Sequence, residues 1–71
     1  MAYMPKIGDR VPVQLPDELV QGVVREVKDN ADLVIIIERP PFVAKTYKPN
    51  VPYVARKLEG LLAGNRWEVL T

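Results

Sequence analysis

Residues 20–38 read VQGVVREVKDNADLVIIIE, two runs rich in β-branched residues on either side of a short acidic segment. Val and Ile are enriched in strands, and the Asp and Asn side chains between the runs favour turn conformations. The stretch therefore predicts a β-hairpin whose strands cover residues 20–28 and 33–38. Gly22 lies inside the first run and predicts a bulge or a sharp bend, which small barrels need at their corners.

The second of these strands is apolar on both faces. Leu33, Ile35 and Ile37 alternate with Val34 and Ile36, whereas an antiparallel strand of a small domain usually turns one face to water. We therefore expect Val34 and Ile36 to be covered, either by a helix lying on the sheet or by a second copy of the protein. These two residues are the candidates for self-association.

Strand patterns continue on both sides of the hairpin. Residues 10–15 and 66–70 alternate between polar and apolar types, which predicts a first strand and a last strand. The last strand is expected to bury Trp67 and Val69. Residues 42–47 have strand composition as well.

Residues 53–63 fit two interpretations. At helical spacing Val54 and three leucines fall on one face, but Gly60 would cost such a helix about 1 kcal/mol. We expect a strand over residues 53–58 and a helical turn over residues 59–63. The chain is thus predicted to be a single all-β domain over residues 1–71, a small barrel of five to six strands with one short helix or helical turn near residues 53–63.

Two motifs near the amino terminus point to a family. Residues 7–11 read Ile-Gly-Asp-Arg-Val, and a Gly-x-Val pattern follows at residues 22–24. Together they resemble the opening of small Src-homology-3-like barrels such as the KOW and Tudor families, in which a Gly-Asp turn leads into the first strand and Gly-x-Val marks a bent second strand. The resemblance covers about the first 38 residues. It implies binding to RNA, DNA or a protein tail rather than catalysis.

The composition excludes several kinds of chemistry. The 71 residues include no Cys, His or Ser, which excludes disulfides, thiolate or imidazole metal sites and Ser-His or Cys-His catalytic pairs. The start Gly-Asp-Arg-Val at residues 8–11 also resembles that of type II plasmid-borne dihydrofolate reductases, but their Val-Gln-Ile-Tyr active-site segment has no counterpart in this chain. We therefore expect no enzymatic activity, no metal, no cofactor and no small-molecule substrate.

No segment of the sequence predicts a membrane span. The longest apolar run, Leu33–Ile37, has five residues, whereas crossing a bilayer takes about 18. The amino-terminal residues lack the charged start, apolar stretch and cleavage site of a secretory signal. We therefore expect a cytoplasmic protein without a membrane partner. Compact domains of this size are common in phages and other mobile elements, and we expect such a source.

Charge is distributed unevenly along the chain. Residues 1–38 hold four basic and seven acidic side chains, a net charge of −3, whereas residues 39–71 hold six basic and two acidic side chains, a net charge of +4. Cations and aromatic rings interleave in the second half, as in a surface that binds a partner. The candidate binding residues are Arg39, Phe42, Lys45, Tyr47, Lys48, Tyr53, Arg56 and Lys57.

These candidate residues suit two kinds of partner. Lys and Arg can neutralise phosphates while rings stack on bases, which would bind nucleic acid. A dedicated nucleic-acid domain is usually basic overall, however, and this chain has a formal net charge of +1. We therefore predict a non-catalytic binding or assembly module whose partner is another protein or a second copy, with nucleic-acid binding through residues 39–57 as the alternative.

Overall fold

A computed structural model describes residues 4–60 and 64–70 and shows a closed barrel of five strands. The strands are β1 (Arg10–Leu15), β2 (Glu18–Val27), β3 (Leu33–Ile37), β4 (Tyr53–Lys57) and β5 (Trp67–Val69). Consecutive strands pair antiparallel, and β1 pairs with β5 in parallel to close the barrel. The predicted small all-β barrel is confirmed, and its five strands are consistent with a Src-homology-3-like barrel.

Strands β2 and β3 form the hairpin predicted over residues 20–38. They pair antiparallel, with Val23 opposite Ile36. The backbone N–H of Asp32 donates a 3.1 Å hydrogen bond to Oδ1 of Asn30, which closes the turn in the way that short amide side chains favour. The hairpin prediction is confirmed.

Gly22 is required for close packing and does not form a bulge. The register between β2 and β3 shifts between Val24 and Glu26, so the predicted bulge lies beyond Gly22. A Cβ atom on Gly22 would lie 2.9 Å from Cγ2 of Val13 and 3.2 Å from Cδ1 of Ile35. Because glycine has no side chain, Val13 of β1 and Ile35 of β3 can both pack closely against β2 at this position.

The core is formed by the inward-facing residues of the strands. Burial alternates along β1 and β3 with the period of two that is typical of strands. Trp67 and Val69 of β5 are 4% and 8% exposed, as their alternation predicts. The side chains that are almost completely buried are Leu15, Leu33, Ile35, Ile37, Val11, Val13 and Val24.

The strand predicted for residues 42–47 does not form. These residues belong to the loop of residues 38–52, which connects β3 to β4. The prediction is wrong because the backbone N–H groups of Phe42, Val43 and Ala44 donate to the carboxylate of Glu18 instead of to a neighbouring strand.

The strand interpretation of residues 53–58 is confirmed by β4. Residues 58–60 are not helical, and residues 61–63, the rest of the predicted helical turn, lie outside the described residues. Within the described ranges, no helix is long and apolar enough to cross a membrane.

The outward faces of β2, β3 and β4 carry four neighbouring apolar residues, which we call the outer cluster. They are Val23, Val34, Ile36 and Val54, with Val23 opposite Ile36 and Val34 opposite Val54. All four are half-buried. No helix covers them within residues 4–60 and 64–70.

We expect Gly22→Ala to destabilise the barrel by about 1 to 3 kcal/mol, the usual cost of overpacking a close-packed interior. The added methyl group would displace Val13, whose β-branched side chain has little freedom to move aside. Urea denaturation measures the effect. Gln21→Ala, an exposed substitution on the same strand, is the control. Equal stability of the two variants would contradict the close-packing argument.

Candidate binding groove

The carboxylate of Glu18 holds the loop of residues 38–52 against β2. Its Oε2 accepts a 2.8 Å hydrogen bond from the backbone N–H of Phe42, and its Oε1 accepts bonds of 2.8 and 3.1 Å from those of Val43 and Ala44. Successive backbone N–H groups that converge in this way form an anion-binding concavity. These hydrogen bonds, led by the one from Val43, hold the pKa of Glu18 below its ordinary value because they stabilise the charged form.

The end of the loop that leads into β4 is anchored by two tyrosines and by β3. The rings of Tyr47 and Tyr53 lie 5.5 Å apart, tilted by 60°. The backbone N–H of Lys48 donates a 2.9 Å hydrogen bond to the hydroxyl of Tyr53. The backbone N–H of Asn50 donates to the carbonyl of Ile37 at 3.1 Å. The loop is therefore tied to the barrel near the end that leads into β4 as well as at Glu18.

A groove of about 700 Å³ runs along this loop, and we call it the Phe42 groove. Three cationic side chains, two aromatic rings and three prolines line it, and no carboxylate does. These residues are Arg39, Lys45, Lys48, Phe42, Tyr47, Pro40, Pro41 and Pro49. Phe42 is 88% exposed. The groove thus combines a largely apolar wall with positive charge.

A second concavity of about 440 Å³ lies next to the groove, and we call it the Leu19 cavity. Leu19 is 54% exposed, and Val20 and Ile37 also line the cavity. Arg10 and Glu38 line it as an ion pair, with 2.8 Å between Nε and Oε1. The hydrogen bond from Arg10 holds the pKa of Glu38 below its ordinary value.

Three residues separate the two concavities. Arg39, Pro40 and Phe42 line both the groove and the cavity, and we call them the Phe42 ridge. The two concavities are therefore adjacent, on either side of a ridge that carries the exposed ring of Phe42.

Most of the predicted binding residues come together here. Five of the eight line the Phe42 groove: Arg39, Phe42, Lys45, Tyr47 and Lys48. Tyr53 contacts two residues that line the groove: its ring packs against that of Tyr47, and its hydroxyl accepts a hydrogen bond from the backbone N–H of Lys48.

The other two predicted cations lie apart from the groove. Arg56 pairs with Asp32 at 3.3 Å, and this carboxylate raises the pKa of the guanidinium. Lys57 donates from Nζ to the carbonyls of Gly64 and Leu58, at 2.6 and 3.2 Å. Both side chains are therefore committed to contacts within the barrel.

The sequence interpretation did not identify Glu18 or Leu19 as parts of a site. In the sequence, Glu18 has the pattern of a turn after β1. Its hydrogen-bond donors lie 24 to 26 residues away along the chain. A single exposed leucine is common on protein surfaces. Neither residue carries a local signal that would have shown its role.

The two concavities are lined by charged, aromatic and apolar side chains. The chain has no Cys, His or Ser to act as a nucleophile or base, and no three acidic side chains of the described residues cluster closely enough to hold a metal ion. Comparisons with protein-family models, curated proteins and solved structures gave no match. Membership of the KOW or Tudor families stays a prediction.

We expect Glu18→Gln to weaken the barrel at neutral pH and to loosen the loop. The neutral amide loses the charge that strengthens three hydrogen bonds. Because the folded pKa lies below the ordinary value of 4.5, the stabilisation from Glu18 is fully present above that value and is lost as the pH falls through the lowered pKa. Urea denaturation from neutral to acid pH should therefore show the two proteins converging in acid.

Glu26→Gln is the matched control, since Glu26 is an exposed carboxylate of the same strand. Hydrogen exchange gives a local readout: the amides of Phe42, Val43 and Ala44 should exchange faster in Glu18→Gln alone. Unchanged exchange at these three amides would show that the carboxylate does not hold the loop.

Proposed function

We propose that this protein is a non-catalytic binding module that holds an anionic macromolecule, in the first place a partner protein, in the Phe42 groove. The observation that carries the proposal is the 88% exposure of Phe42 on a backbone that Glu18 holds in place. Phe42 and the exposed Leu19 line one cavity. Contiguous exposed apolar surface marks interaction sites, and aromatic anchors dominate many interfaces. A backbone that is already ordered loses little further entropy on binding.

The charge of the groove supports an anionic partner. Arg39, Lys45 and Lys48 contribute three cations, and no carboxylate lines the groove. Complementary charge speeds encounter and disfavours partners of the same sign. An acidic surface or segment of another protein would therefore be attracted to this part of the barrel.

Nucleic acid is the second candidate, favoured by the position of the Phe42 ring beside three cations. Such a pairing can stack one base and neutralise adjacent phosphates. A protein partner is preferred because the other ring of the groove, Tyr47, is half-buried against Tyr53. Single-strand binders usually offer successive free rings, and the chain's net charge is only +1.

We expect oligoglutamate, a simple acidic polypeptide, to bind in the groove. In nuclear magnetic resonance titrations, backbone amide shifts should change over residues 39–48. The double substitution Lys45→Glu and Lys48→Glu should weaken binding by about tenfold or more, because attraction becomes repulsion. The matched control reverses Lys6 and Lys28, two exposed lysines outside both concavities.

Oligothymidylate in the same titration tests the second candidate. Stronger binding of oligothymidylate than of oligoglutamate, with loss of affinity in Phe42→Ala, would favour nucleic acid as the partner. Absence of binding by both probes, or equal weakening by both double substitutions, would contradict the proposed function.

Self-association through the outer cluster is a separate part of the proposal. Val23, Val34, Ile36 and Val54 form a half-buried apolar patch. The ion pair of Arg10 and Glu38 flanks one end, and the pair of Arg56 and Asp32 flanks the other. A second copy in the opposite orientation would find both signs of charge at each end, so the patch can complement itself.

We expect sedimentation to show a concentration-dependent dimer, and Ile36→Lys to shift it towards monomer, because the substitution puts a charge in the apolar contact. Ile7→Lys is the control, since Ile7 is 70% exposed and lies outside the outer cluster. A strict monomer at every concentration would remove the self-association proposal.

A further inference from the structure

We infer that the occupant of the Phe42 groove is an extended polypeptide segment in which acidic residues directly adjoin bulky apolar ones. The acidic part lies in the groove, and the apolar side chains enter the Leu19 cavity beyond the Phe42 ridge. This inference rests on the proposed function and specifies its ligand.

The two concavities lie side by side along the Phe42 ridge. Phe42 and Pro40 line both, so a segment that crosses the ridge contacts the groove and the cavity at once. An extended polypeptide advances about 3.3 Å per residue, and its side chains alternate in direction. Two adjacent residues of such a segment can therefore place an acidic side chain on one side of the Phe42 ring and an apolar side chain on the other.

The Leu19 cavity suits an apolar side chain. Leu19 is 54% exposed, and Val20 and Ile37 also line the cavity. The two carboxylates of the cavity are already occupied. Glu18 accepts three backbone hydrogen bonds, and Glu38 pairs with Arg10. A ligand gains little by approaching these carboxylates with a polar group, and it buries Leu19 by approaching with an apolar one.

The charge of the Leu19 cavity gives a nucleic-acid strand no reason to continue across the ridge. Arg10 and Arg39 line the cavity together with Glu18 and Glu38, so its charges balance. A polynucleotide carries a phosphate at every step, and the phosphates that follow those in the groove would meet no net positive charge. In a polypeptide, an acidic residue can be followed directly by an apolar one. Such a segment matches the lining of the two concavities, which has Lys45 and Lys48 in the groove and Leu19 in the cavity.

The test compares two fluorescent peptides by anisotropy. One joins an Asp-Glu-Asp-Glu segment to Trp-Leu, and the other has Ala in place of Trp and Leu. We expect the first to bind about tenfold more tightly, since it buries two bulky side chains. Leu19→Ala should remove this preference without weakening the Ala peptide, and Ile7→Ala should change neither affinity. Reversing Lys45 and Lys48 should weaken both peptides.

Three other outcomes would each contradict a different part of the proposal. If both peptides bind the wild-type protein equally, the apolar half of the inference is wrong and the groove still binds acidic polypeptides. If oligothymidylate displaces the first peptide at lower concentration than oligoglutamate does, the occupant is nucleic acid. If neither peptide, oligoglutamate nor oligothymidylate binds, the proposed function fails as well. Leu19→Gln is a second variant, and urea denaturation verifies that each variant is folded.

Discussion

Three backbone N–H groups that converge on the carboxylate of Glu18 determine where Phe42 lies on this barrel. Those hydrogen bonds tie the loop of residues 38–52 to the first residue of β2. With them, a phenylalanine that is 88% exposed lies on an ordered backbone. The same bonds satisfy donors that a strand would otherwise have used, so they also explain why residues 42–47 are a loop.

Strand β2 links this anchor to the core. It begins with Glu18, continues with Leu19 in the second concavity, and reaches Gly22, where side chains of β1 and β3 meet. A change that shifts β2 would therefore move the anchor, the cavity and the core together. The proposed binding surface is therefore built on the same strand as the close approach at Gly22.

The basic and aromatic residues of the second half were predicted as one site, and the structure divides them. Arg39, Lys45 and Lys48 line the groove, whereas Arg56 pairs with Asp32 and Lys57 donates to backbone carbonyls. Composition and spacing could indicate that cations and rings occur together along the chain. They could not show which cations already have partners inside the fold, because those partners come from distant strands.

The sequence by itself determined the strands and their inward faces, because period-two alternation is a local property that burial on one side of a sheet imposes. It also determined the absence of Cys, His and Ser, and with them of thiolate or imidazole metal ligands, which composition alone shows. Tertiary structure decided the loop of residues 42–47, the close approach at Gly22 and the adjacency of the two concavities. Each depends on groups far apart in sequence: Glu18 and Phe42, for example, are separated by 24 residues and meet only when the barrel closes.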